Sequence, residues 1–450
     1  MKHIKSLFIF CIVLTSILLN SCSESSVTPA DEETPFEVSS IDDIIMYEIN
    51  IRAFSSSGTF QGITDRLDSI KALSINTIWL MPIFPIGQIN TVNSPYCVKN
   101  YKEVNSEYGT LDDFKVLIEE SHSRGISVVI DWVANHTAWD NPWIDSTSWY
   151  TQDGDGNIIH PAGTNWQDVA DLNFSNMNMR LAMIDAMKYW VTETDIDGFR
   201  CDAADFVPYS FWSQAIDSLH NIPNKELILL AEGSRRDHFT AGFQMNYSWD
   251  FYSKIKTIFG SGRNAQSIFT THQNEYAGLP GGVRKLRFTT NHDESAWDAT
   301  PMVLFNGKDG ALAASVITIY LGGVPLIYGS QEVGVTNTIS FFTRQPINWS
   351  LNPDMLADYK EILRFYSESN VAKKGTLNTY NNYYVTIFKK TYDTDEILVL
   401  VNVGDSEYDL PVQEEFVNTT WQNAFDNSDF TFTDHLVMNA YQYLILKRQL

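Results

Sequence analysis

Four short clusters of carboxylates, histidines and an arginine each stand at the end of an apolar, β-branched run of the sequence. They are Asp131 with His136, Arg200 with Asp202, Glu232, and His292 with Asp293. If the apolar runs are parallel strands of one sheet, their carboxyl ends meet and the clusters come together. Taken singly, each cluster has a structural alternative, such as a helix N-terminal charge for Glu232 or a satisfied, semi-buried histidine for His292. Four clusters at matching positions favour a catalytic site.

The carboxylates have the chemistry that nucleophilic and acid–base catalysis require. Arg200 and Asp202 are two residues apart, so on a strand both side chains point to the same side. A neighbouring guanidinium lowers the pKa of a carboxyl, which predicts that Asp202 is ionised and can act as a nucleophile. Glu232 follows the apolar residues 227–231, and loss of water raises the pKa of a carboxyl, which predicts a general acid. Two carboxyls in such opposed settings are the pair that glycoside hydrolysis uses.

Eight short β-branched runs that could position these residues alternate with helix-like stretches up to about residue 370. The runs cover residues 44–51, 76–81, 127–132, 197–202, 227–232, 243–247, 285–291 and 324–329. Several are apolar almost throughout, as in parallel strands covered by helices. Amphipathic stretches such as 111–124 and 179–193 lie between them. Eight strand–helix units predict an α/β fold of the (β/α)8 TIM-barrel type over residues 41–370.

Two segments depart from this repeat. Residues 133–196 are too long for one loop and one helix, and their Trp-, Gly-, Asn- and Pro-rich part, 137–173, predicts a small domain inserted after the third strand. After residue 370 the pattern becomes strand-like alternation without helices, which predicts a C-terminal antiparallel β-sandwich over 371–450. The alternation is clearest at 383–389, 396–403, 408–412 and 441–446.

The clusters resemble the conserved regions of the α-amylase superfamily, glycoside hydrolase family 13. The matching segments are DWVANH at 131–136, GFRCDAAD at 198–205, AEGS at 231–234, FTTNHD at 288–293 and, in the insertion, DLN at 171–173. Their order and strand placement agree with that family, and together they are far more specific than any one alone. The resemblance covers roughly residues 41–450 and implies a barrel, an inserted domain B and a C-terminal sandwich.

The resemblance implies the chemical roles of the carboxylates. Asp202 would be the nucleophile that forms a covalent glycosyl intermediate, and Glu232 would protonate the leaving oxygen and then deprotonate water. Asp293 would bind hydroxyls of the distorted sugar and stabilise the transition state. Arg200 would orient the nucleophile, and Asp131 would be a supporting acid near the barrel mouth.

The resemblance also implies side chains that contact the sugar in the subsite before the scissile bond. These substrate-binding residues are Tyr96, His136 and His292. Of the tryptophans in the insertion, most should pack within it and one or two should line the cleft. Trp297, just past Asp293, is a further candidate for a substrate contact.

The sequence differs from the family pattern at two points. Asp205-Phe206 stand where amylases often have Lys-His, whose lysine contacts a sugar beyond the cut and whose histidine backbone helps to hold calcium. Gly233-Ser234 follow the general acid, where an aromatic residue is frequent. The leaving-group side should therefore be unusual, and the usual calcium site, to which Asn135 would contribute, is incomplete. We expect no metal ligands and no required cofactor, with Ca²⁺ as the alternative left open.

The first residues are predicted to be a targeting segment rather than part of the fold. Two lysines precede an apolar stretch at 7–19 that is too short to span a bilayer comfortably. LNSC at 19–22 resembles a bacterial lipobox, which implies a lipoprotein signal peptide at 1–21 and acylation of Cys22. Residues 22–40 would then be a flexible tether. The protein is expected to be lipid-anchored at the outer membrane or cell surface, and plain secretion is the alternative.

The charge of the chain limits its partners. A formal net charge of −24 argues against nucleic acid, because phosphate backbones attract Lys/Arg patches. The expected partner is a neutral α-glucan, and membrane contact is expected through the lipid anchor alone. The leading function is retaining hydrolysis of α-1,4-glucosidic bonds in starch, maltooligosaccharides or related α-glucans. Hydrolysis of α-1,6 bonds or glucosyl transfer on the same scaffold is the alternative, and a non-catalytic glucan-binding protein ranks below both because all three carboxylates are present.

Overall fold

Eight parallel strands form a closed barrel in the computed structural model, which describes residues 36–449. The barrel strands, numbered 1 to 8 in chain order, are Met46–Ile49, Thr77–Leu80, Ser127–Val133, Gly198–Asp202, Ile228–Ala231, Met245–Tyr247, Arg284–Arg287 and Val324–Tyr328. Each strand pairs with the strand before and after it, and strand 8 closes the barrel against strand 1, with Leu326 opposite Met46. The predicted TIM barrel is confirmed.

Helices cover the outside of the barrel. The α-helices are Ile51–Phe54, Phe60–Thr64, Leu67–Lys71, Leu111–His122, Met177–Thr194, Tyr209–His220, Asp237–Ala241, Trp249–Ser261, Ser267–Tyr276, His292–Trp297, Pro301–Leu304, Lys308–Tyr320, Pro353–Glu368 and Asn370–Lys374. Short 3-10 turns are Pro142–Asp145, Thr147–Trp149, Ala204–Phe206 and Gln331–Val333. Within residues 36–449, none of the helices is both long and apolar enough to cross a membrane.

The helix Leu111–His122 shows how the sequence specifies these elements. Thr110 and Asp113 form a reciprocal capping box that satisfies backbone donors at its first turn. Its buried residues include Phe114, Leu117 and Ile118, and their spacing of three and four places them on one face of the helix. That face packs into the large core between strands and helices.

Side chains of strand 4 alternate between the helix layer and the barrel interior. Phe199 and Cys201 belong to the core beneath the helices, whereas Arg200 and Asp202 point the other way. Cys201 and Cys97 are both buried free thiols. The alternation therefore delivers two charged side chains to the inside of the barrel, as predicted.

Strand 7 is shorter than predicted. It ends at Arg287 rather than at residue 291, because the chain leaves the ladder to begin the helix His292–Trp297. Asn291 caps that helix by accepting a hydrogen bond from the backbone N–H of Glu294 at 2.9 Å. The cap turns His292 and Asp293 toward the mouth of the barrel.

The predicted insertion follows strand 3 and precedes the helix Met177–Thr194. It contains an antiparallel pair of short strands, His136–Ala138 and Val169–Asp171. Trp143 and Trp149 contact each other with ring centroids 5.3 Å apart, and both pack against the main core. These two tryptophans therefore have the packing role expected for most of the tryptophans in this segment.

The C-terminal region forms two antiparallel sheets. A six-stranded sheet has the spatial order Thr376–Tyr380, Val385–Tyr392, Asp395–Asn402, Tyr443–Gln449, Thr420–Asn423, Asp429–Thr431, and a two-stranded sheet pairs Tyr408–Pro411 with His435–Met438. Residues of both sheets share one buried cluster, which includes Leu398, Leu410, Trp421 and Met438. This arrangement agrees with the predicted β-sandwich.

The folded part of the chain begins before the predicted boundary at residue 41. Phe36 stacks on the ring of His122 with centroids 4.0 Å apart, and Val38 and Ile41 pack against the core inside the barrel. Residues 36–40 are therefore not free tether, because their apolar side chains are partly buried. The predicted signal peptide, the lipobox with Cys22 and the tether up to residue 35 lie outside the described residues.

Candidate active site

A cleft of 620 Å³ opens at the carboxyl ends of the barrel strands. Its walls are formed by Val92, Ser94, Tyr96, His136, Asn165, Trp166, Asp168, Val169, Asp202, Ala203, Glu232, His292, Asp293, Trp297, Phe341 and Phe342. Six of the eight predicted site residues belong to this set, and the other two, Arg200 and Asp131, are buried in contact with them. The structure thus brings all eight together.

Arg200 occupies the base of the cleft and contacts three carboxylates. Its Nη1 lies 2.8 Å from Asp131 and 3.0 Å from Asp202, and its Nη2 lies 3.0 Å from Glu232. The guanidinium has no exposed surface, whereas the side chains of Asp202 and Glu232 are 12% and 16% exposed. The ring centroids of Trp79 and Tyr247 lie 4.9 and 5.6 Å from Cζ of Arg200. One buried cation therefore holds the two predicted catalytic carboxylates side by side.

The charge environment of Asp202 differs from the sequence prediction. Burial and the adjacent Glu232 carboxylate raise the pKa of Asp202 well above its ordinary value, and Arg200 opposes this rise without cancelling it. The guanidinium acts in the predicted direction, but the prediction of a net lowered pKa is wrong for the free protein. The physical reason is that Arg200 is shared with Asp131 and Glu232, whose negative charges act on Asp202 in the opposite sense.

Glu232 is positioned by backbone contacts between strands 4 and 5. Its N–H donates to the carbonyl of Cys201 at 2.9 Å, and its own carbonyl accepts from the N–H of Ala204 at 3.0 Å. Its carboxylate accepts a further hydrogen bond from the N–H of Ala203 at 2.6 Å. The Glu232 side chain therefore projects into the cleft beside Asp202 from a backbone held on both sides.

A chain of hydrogen bonds links His292 to the base of the site. His292 Nδ1 donates to Glu48 at 2.5 Å, and its Nε2 lies 2.7 Å from the hydroxyl of Tyr96. That hydroxyl in turn donates to Asp131 at 3.0 Å. Burial lowers the pKa of His292, but the carboxylates of Asp293 and Glu48 outweigh it and raise the value to about 9. His292 is therefore a cation at neutral pH.

His136, the second histidine of the cleft, is in the opposite charge state. Burial lowers its pKa to about 4, so the ring is neutral at pH 7. Its Nδ1 lies 3.3 Å from the side-chain nitrogen of Asn135, and its ring contacts Trp166 edge to face at 5.5 Å. The two histidines can therefore offer different hydrogen bonds to a bound molecule.

Some residues of the site were not predicted from the sequence. Glu48 is a fully buried acid in the otherwise apolar strand 1. A single acid within an apolar run is a sequence signal from which it could have been predicted. Trp79 donates to Asp131 at 3.3 Å, but a tryptophan in a buried strand carries no signal of its own. Phe341 and Phe342 come from the long loop after strand 8 and belong to the cleft wall, and the centroids of their rings are 4.4 Å apart. Trp297, a predicted candidate contact, lies at the rim and is 69% exposed.

The residues present do not fit the usual calcium site of the resembled family. Nη1 of Arg235 donates to the carbonyls of Asp205 and Val207, so a guanidinium flanks the backbone at Phe206 that would bind the ion. A positive charge at that place opposes a cation. Within the part of the chain that the structure describes, no group of three or more His, Cys, Asp or Glu could hold a metal ion.

Known proteins share this sequence pattern and architecture. The family model described as the catalytic domain of alpha amylase matches residues 31–158 and 160–382. Alpha-amylase MalA of Haloarcula japonica is 26% identical over 420 residues, which are 87% of this chain and 61% of that protein. This chain therefore spans about three-fifths of the length of that relative.

Two solved structures agree with the whole described architecture. A noncanonic maltogenic alpha-amylase, AmyB from Thermotoga neapolitana, superposes with a TM-score of 0.81 at 25% identity, covering 92% of this chain and all of the other. An alpha-amylase from Lactobacillus plantarum also gives 0.81, at 26% identity, covering 91% of this chain and 99% of the other.

Proposed function

Because this chain belongs to the alpha-amylase catalytic-domain family, we propose that it is a retaining glycoside hydrolase that cleaves α-1,4-glucosidic bonds in starch, maltooligosaccharides or related α-glucans. The observation that carries the proposal is the pairing of Asp202 and Glu232 across one buried guanidinium, each 3.0 Å from Arg200, at the base of an open cleft. Retaining hydrolysis needs two such carboxyls, one as nucleophile and one as acid–base.

The proposed reaction has two steps that use these carboxyls in turn. First, the Asp202 carboxylate attacks the anomeric carbon, the bond from that carbon to the leaving oxygen breaks, and the Glu232 carboxyl gives its proton to that oxygen. Glu232 then removes a proton from water, whose oxygen attacks the anomeric carbon and displaces Asp202. Both carboxyls return to their starting states, so the cycle consumes water alone besides the glucan.

This division of labour requires a change in Asp202 when substrate binds. In the free protein, burial and the Glu232 carboxylate raise the pKa of Asp202, whereas the nucleophile has to be ionised in the first step. One carboxyl ionised and one protonated is the state that the first step requires. A sugar bound over Asp202 removes water from the pair, and the Glu232 carboxyl then has the leaving oxygen as its hydrogen-bond partner.

The surrounding side chains support binding of a sugar before the scissile bond. His292 is a buried cation whose two N–H groups lie against Glu48 and Tyr96 and which places positive charge beside the sugar. The neutral His136 accepts from Asn135 at Nδ1 and can donate from Nε2. Asp293 is 35% exposed and lies 3.4 Å from His292, which suits it to accept hydrogen bonds from sugar hydroxyls. Tyr96 contributes an aromatic face beside them, since its ring stacks on His292 at 5.4 Å.

A neutral glucan fits the character of the cleft. The cleft carries several carboxylates and the chain has a net charge of −24, which would repel an anionic substrate. Aromatic side chains form part of the cleft wall, among them Trp166, Trp297 and Phe342. Such rings bind the apolar C–H faces of sugars while leaving the sugar hydroxyls free to make hydrogen bonds. The names of the three similar proteins given above, all alpha-amylases, support an α-1,4-glucan as the substrate.

A reducing-sugar assay on amylose, pullulan and maltotriose tests this proposal. We expect release of reducing ends from amylose and maltotriose. Release from pullulan with maltotriose as the product would instead indicate α-1,6 cleavage, and products longer than the substrate would indicate glucosyl transfer. Activity on none of the three would contradict the hydrolase proposal and favour a glucan-binding protein.

We also propose that the mature protein is tethered to a membrane through Cys22. The support is sequence alone: an apolar stretch at 7–19, the LNSC segment at 19–22 and a polar, acidic linker after it. An anchor with more than one acyl chain is enough for stable attachment. Membrane fractionation of wild type and Cys22→Ser tests this, and equal recovery of both in the soluble fraction would indicate a secreted enzyme.

A further inference from the structure

Two departures from the family pattern, Asp205 and Gly233, prove to be in direct contact. The Asp205 carboxylate accepts hydrogen bonds from the backbone N–H groups of Ser234 at 3.0 Å and Arg235 at 3.2 Å. A Cβ at position 233 would lie 2.3 Å from the same carboxylate, which is closer than side chains approach, so only glycine fits. The loop after Glu232 is thereby fastened to the turn that follows strand 4.

This use of Asp205 leaves the next side chain, Phe206, exposed beside Trp166, a residue of the cleft wall, although Phe206 itself is not part of that wall. Its N–H donates to the carbonyl of Ala203 at 2.9 Å, which completes the 3-10 turn. The Phe206 side chain is 53% exposed, although a large apolar ring is normally buried. Its centroid lies 5.7 Å from that of Trp166, with the ring planes inclined at 46°.

Trp166 is supported from behind and lines the same cleft as Asp202 and Glu232. Its ring packs against that of His136 with centroids 5.5 Å apart and planes inclined at 61°. It also packs against a small buried cluster made of Ile86, Cys97, Ala138 and Val169. The ring is therefore fixed in place before any ligand arrives, which lowers the entropic cost of binding to it.

We propose that Phe206 and Trp166 form an aromatic platform that binds the glucose residue on the leaving-group side of the scissile bond. This inference rests on the proposed hydrolase function, in which Glu232 protonates the leaving oxygen and so marks that side. Phe206 belongs to the turn that Asp205 fastens to the Glu232 loop, whereas Phe341 contacts His292 and Trp297 contacts Phe341.

The chemistry of the platform is stacking rather than charge. The apolar C–H face of an α-glucosyl ring can cover the two inclined aromatic rings, and its hydroxyls remain free at the edge. In the family pattern a lysine at position 205 contacts this sugar, but here position 205 is an aspartate whose oxygens are engaged by backbone N–H groups. Recognition of the leaving sugar is therefore transferred from a charged side chain to aromatic surface, and the same platform would hold an acceptor sugar.

Two substrates separate this platform from the rest of the site. Maltotetraose places glucose on the leaving-group side, whereas α-maltosyl fluoride leaves that side empty because its leaving group is fluoride. We expect Phe206→Ala to lower kcat/KM for maltotetraose about five- to tenfold and to change that for α-maltosyl fluoride less than about twofold. Phe206→Leu, which keeps apolar bulk without an aromatic face, should show the same selective loss, and Phe206→Tyr should retain wild-type values. The control is Tyr383→Ala, which removes an exposed aromatic ring from the C-terminal region, outside the cleft, and should alter neither substrate.

The possible results distinguish the platform from the hydrolase assignment. The platform is overturned if Phe206→Ala or Phe206→Leu, with an unchanged melting temperature, loses kcat/KM equally on both substrates or on neither. The hydrolase assignment stands in either case. If Phe206→Ala does not fold, Phe206→Leu decides by the same comparison. A wild-type protein that hydrolyses neither substrate overturns both.

Discussion

Arg200 contacts three carboxylates at once, and this sharing governs how individual residues of the site take up protons. Because the guanidinium is divided among Asp131, Asp202 and Glu232, it cannot fully offset the cost of burying any one charge. The raised pKa of Asp202 follows from that division. A bound sugar is thus required not only to present the reacting bond but also to complete the charge arrangement that the chemistry uses.

Replacement of Asp202 by Asn should abolish turnover and leave the fold intact. We expect a loss on the order of 10⁴-fold in kcat, measured by reducing-sugar release, with an unchanged circular dichroism spectrum.

A carboxyl with a raised pKa in the folded state stabilises the fold below its unfolded pKa of about 3.9 and loses that contribution as pH rises through the folded value. The melting temperature of the variant at pH 7 should therefore equal or exceed that of wild type. Asp185→Asn, at a surface aspartate, is the control, and near-native turnover by Asp202→Asn would contradict the nucleophile assignment.

His292 should make stability depend on pH in the alkaline range. Its pKa of about 9 lies above the value of about 6.5 in an unfolded chain. Its contribution is therefore complete below pH 6.5 and is lost as pH rises through 9. Melting temperatures of wild type and His292→Gln at pH 6 and pH 10 should differ more at pH 6 than at pH 10.

Glu48 provides the matched test of that assignment. Its carboxylate pairs with Nδ1 of His292, so Glu48→Gln should lower the pKa of His292 and move the alkaline loss of stability to lower pH. The difference in melting temperature between wild type and His292→Gln should fall as pH rises from 6.5 to 9. A difference that stays constant over this range would show that His292 is neutral in the folded protein.

Strand 4 places Arg200 and Asp202 correctly only because its first residue has no side chain. A Cβ on Gly198 would lie 1.9 Å from the carbonyl oxygen of Ile228 in strand 5, and backbone cannot move aside as a flexible side chain can. Gly198→Ala should therefore lower the free energy of unfolding by at least about 3 kcal/mol, measured by chemical denaturation, and reduce activity as the strands separate.

The matched control is a second glycine-to-alanine change in a helix. Gly260 lies in the helix Trp249–Ser261, and a Cβ added to it would have no other atom within 4 Å apart from its own helix backbone and chain neighbours. Gly260→Ala should raise the free energy of unfolding by about 0.5–1 kcal/mol, because alanine loses less backbone entropy than glycine in a helix. Equal effects of the two changes would contradict the strand-packing explanation.

The elements of the barrel were predictable because their patterns are periodic. All eight barrel strands overlap predicted runs. Most of these runs are largely apolar, as buried parallel strands are, whereas strand 7, Arg284–Arg287, has a single apolar residue. Four strands of the C-terminal region were missed, namely Thr376–Tyr380, Thr420–Asn423, Asp429–Thr431 and His435–Met438. Their residues are largely polar or half exposed, so alternation is weak and pairing with neighbouring strands determines their conformation.

The candidate site was predictable where it depends on strand ends and not where it depends on loops. Seven of the eight predicted residues lie in or shortly after a barrel strand and converge because parallel strands bring their carboxyl ends to one rim. Tyr96 lies in the irregular segment between strand 2 and the helix Leu111–His122, and only the family resemblance indicated it. Phe341 could not be assigned to the cleft, because a long irregular loop has no period that would show where its side chains point. The pKa of Asp202 was predicted in the wrong direction because a strand-end pattern shows the neighbouring Arg200 but neither the burial of the carboxyl nor the nearby carboxylates of Glu232 and Asp131.

At the scale of the whole molecule, the protein should not depend on calcium. Arg235 flanks the backbone segment at Phe206 where the family's ion would bind, and the described residues include no metal-ligating cluster. Dialysis against a chelator should leave the melting temperature within about 1 °C and activity almost unchanged. A large fall that added calcium restores would reveal a metal site that these residues do not indicate.

The measurement that tests the central claim most directly is capture of the glycosyl-enzyme. A slowly hydrolysed 5-fluoro-α-glycosyl fluoride should accumulate the covalent intermediate that retention requires, and peptide mapping by mass spectrometry identifies the labelled residue. We predict a single added sugar on the peptide that contains Asp202, and no label in Asp202→Asn. A label on another residue, or hydrolysis of maltotriose with no covalent label at any time, would contradict the account.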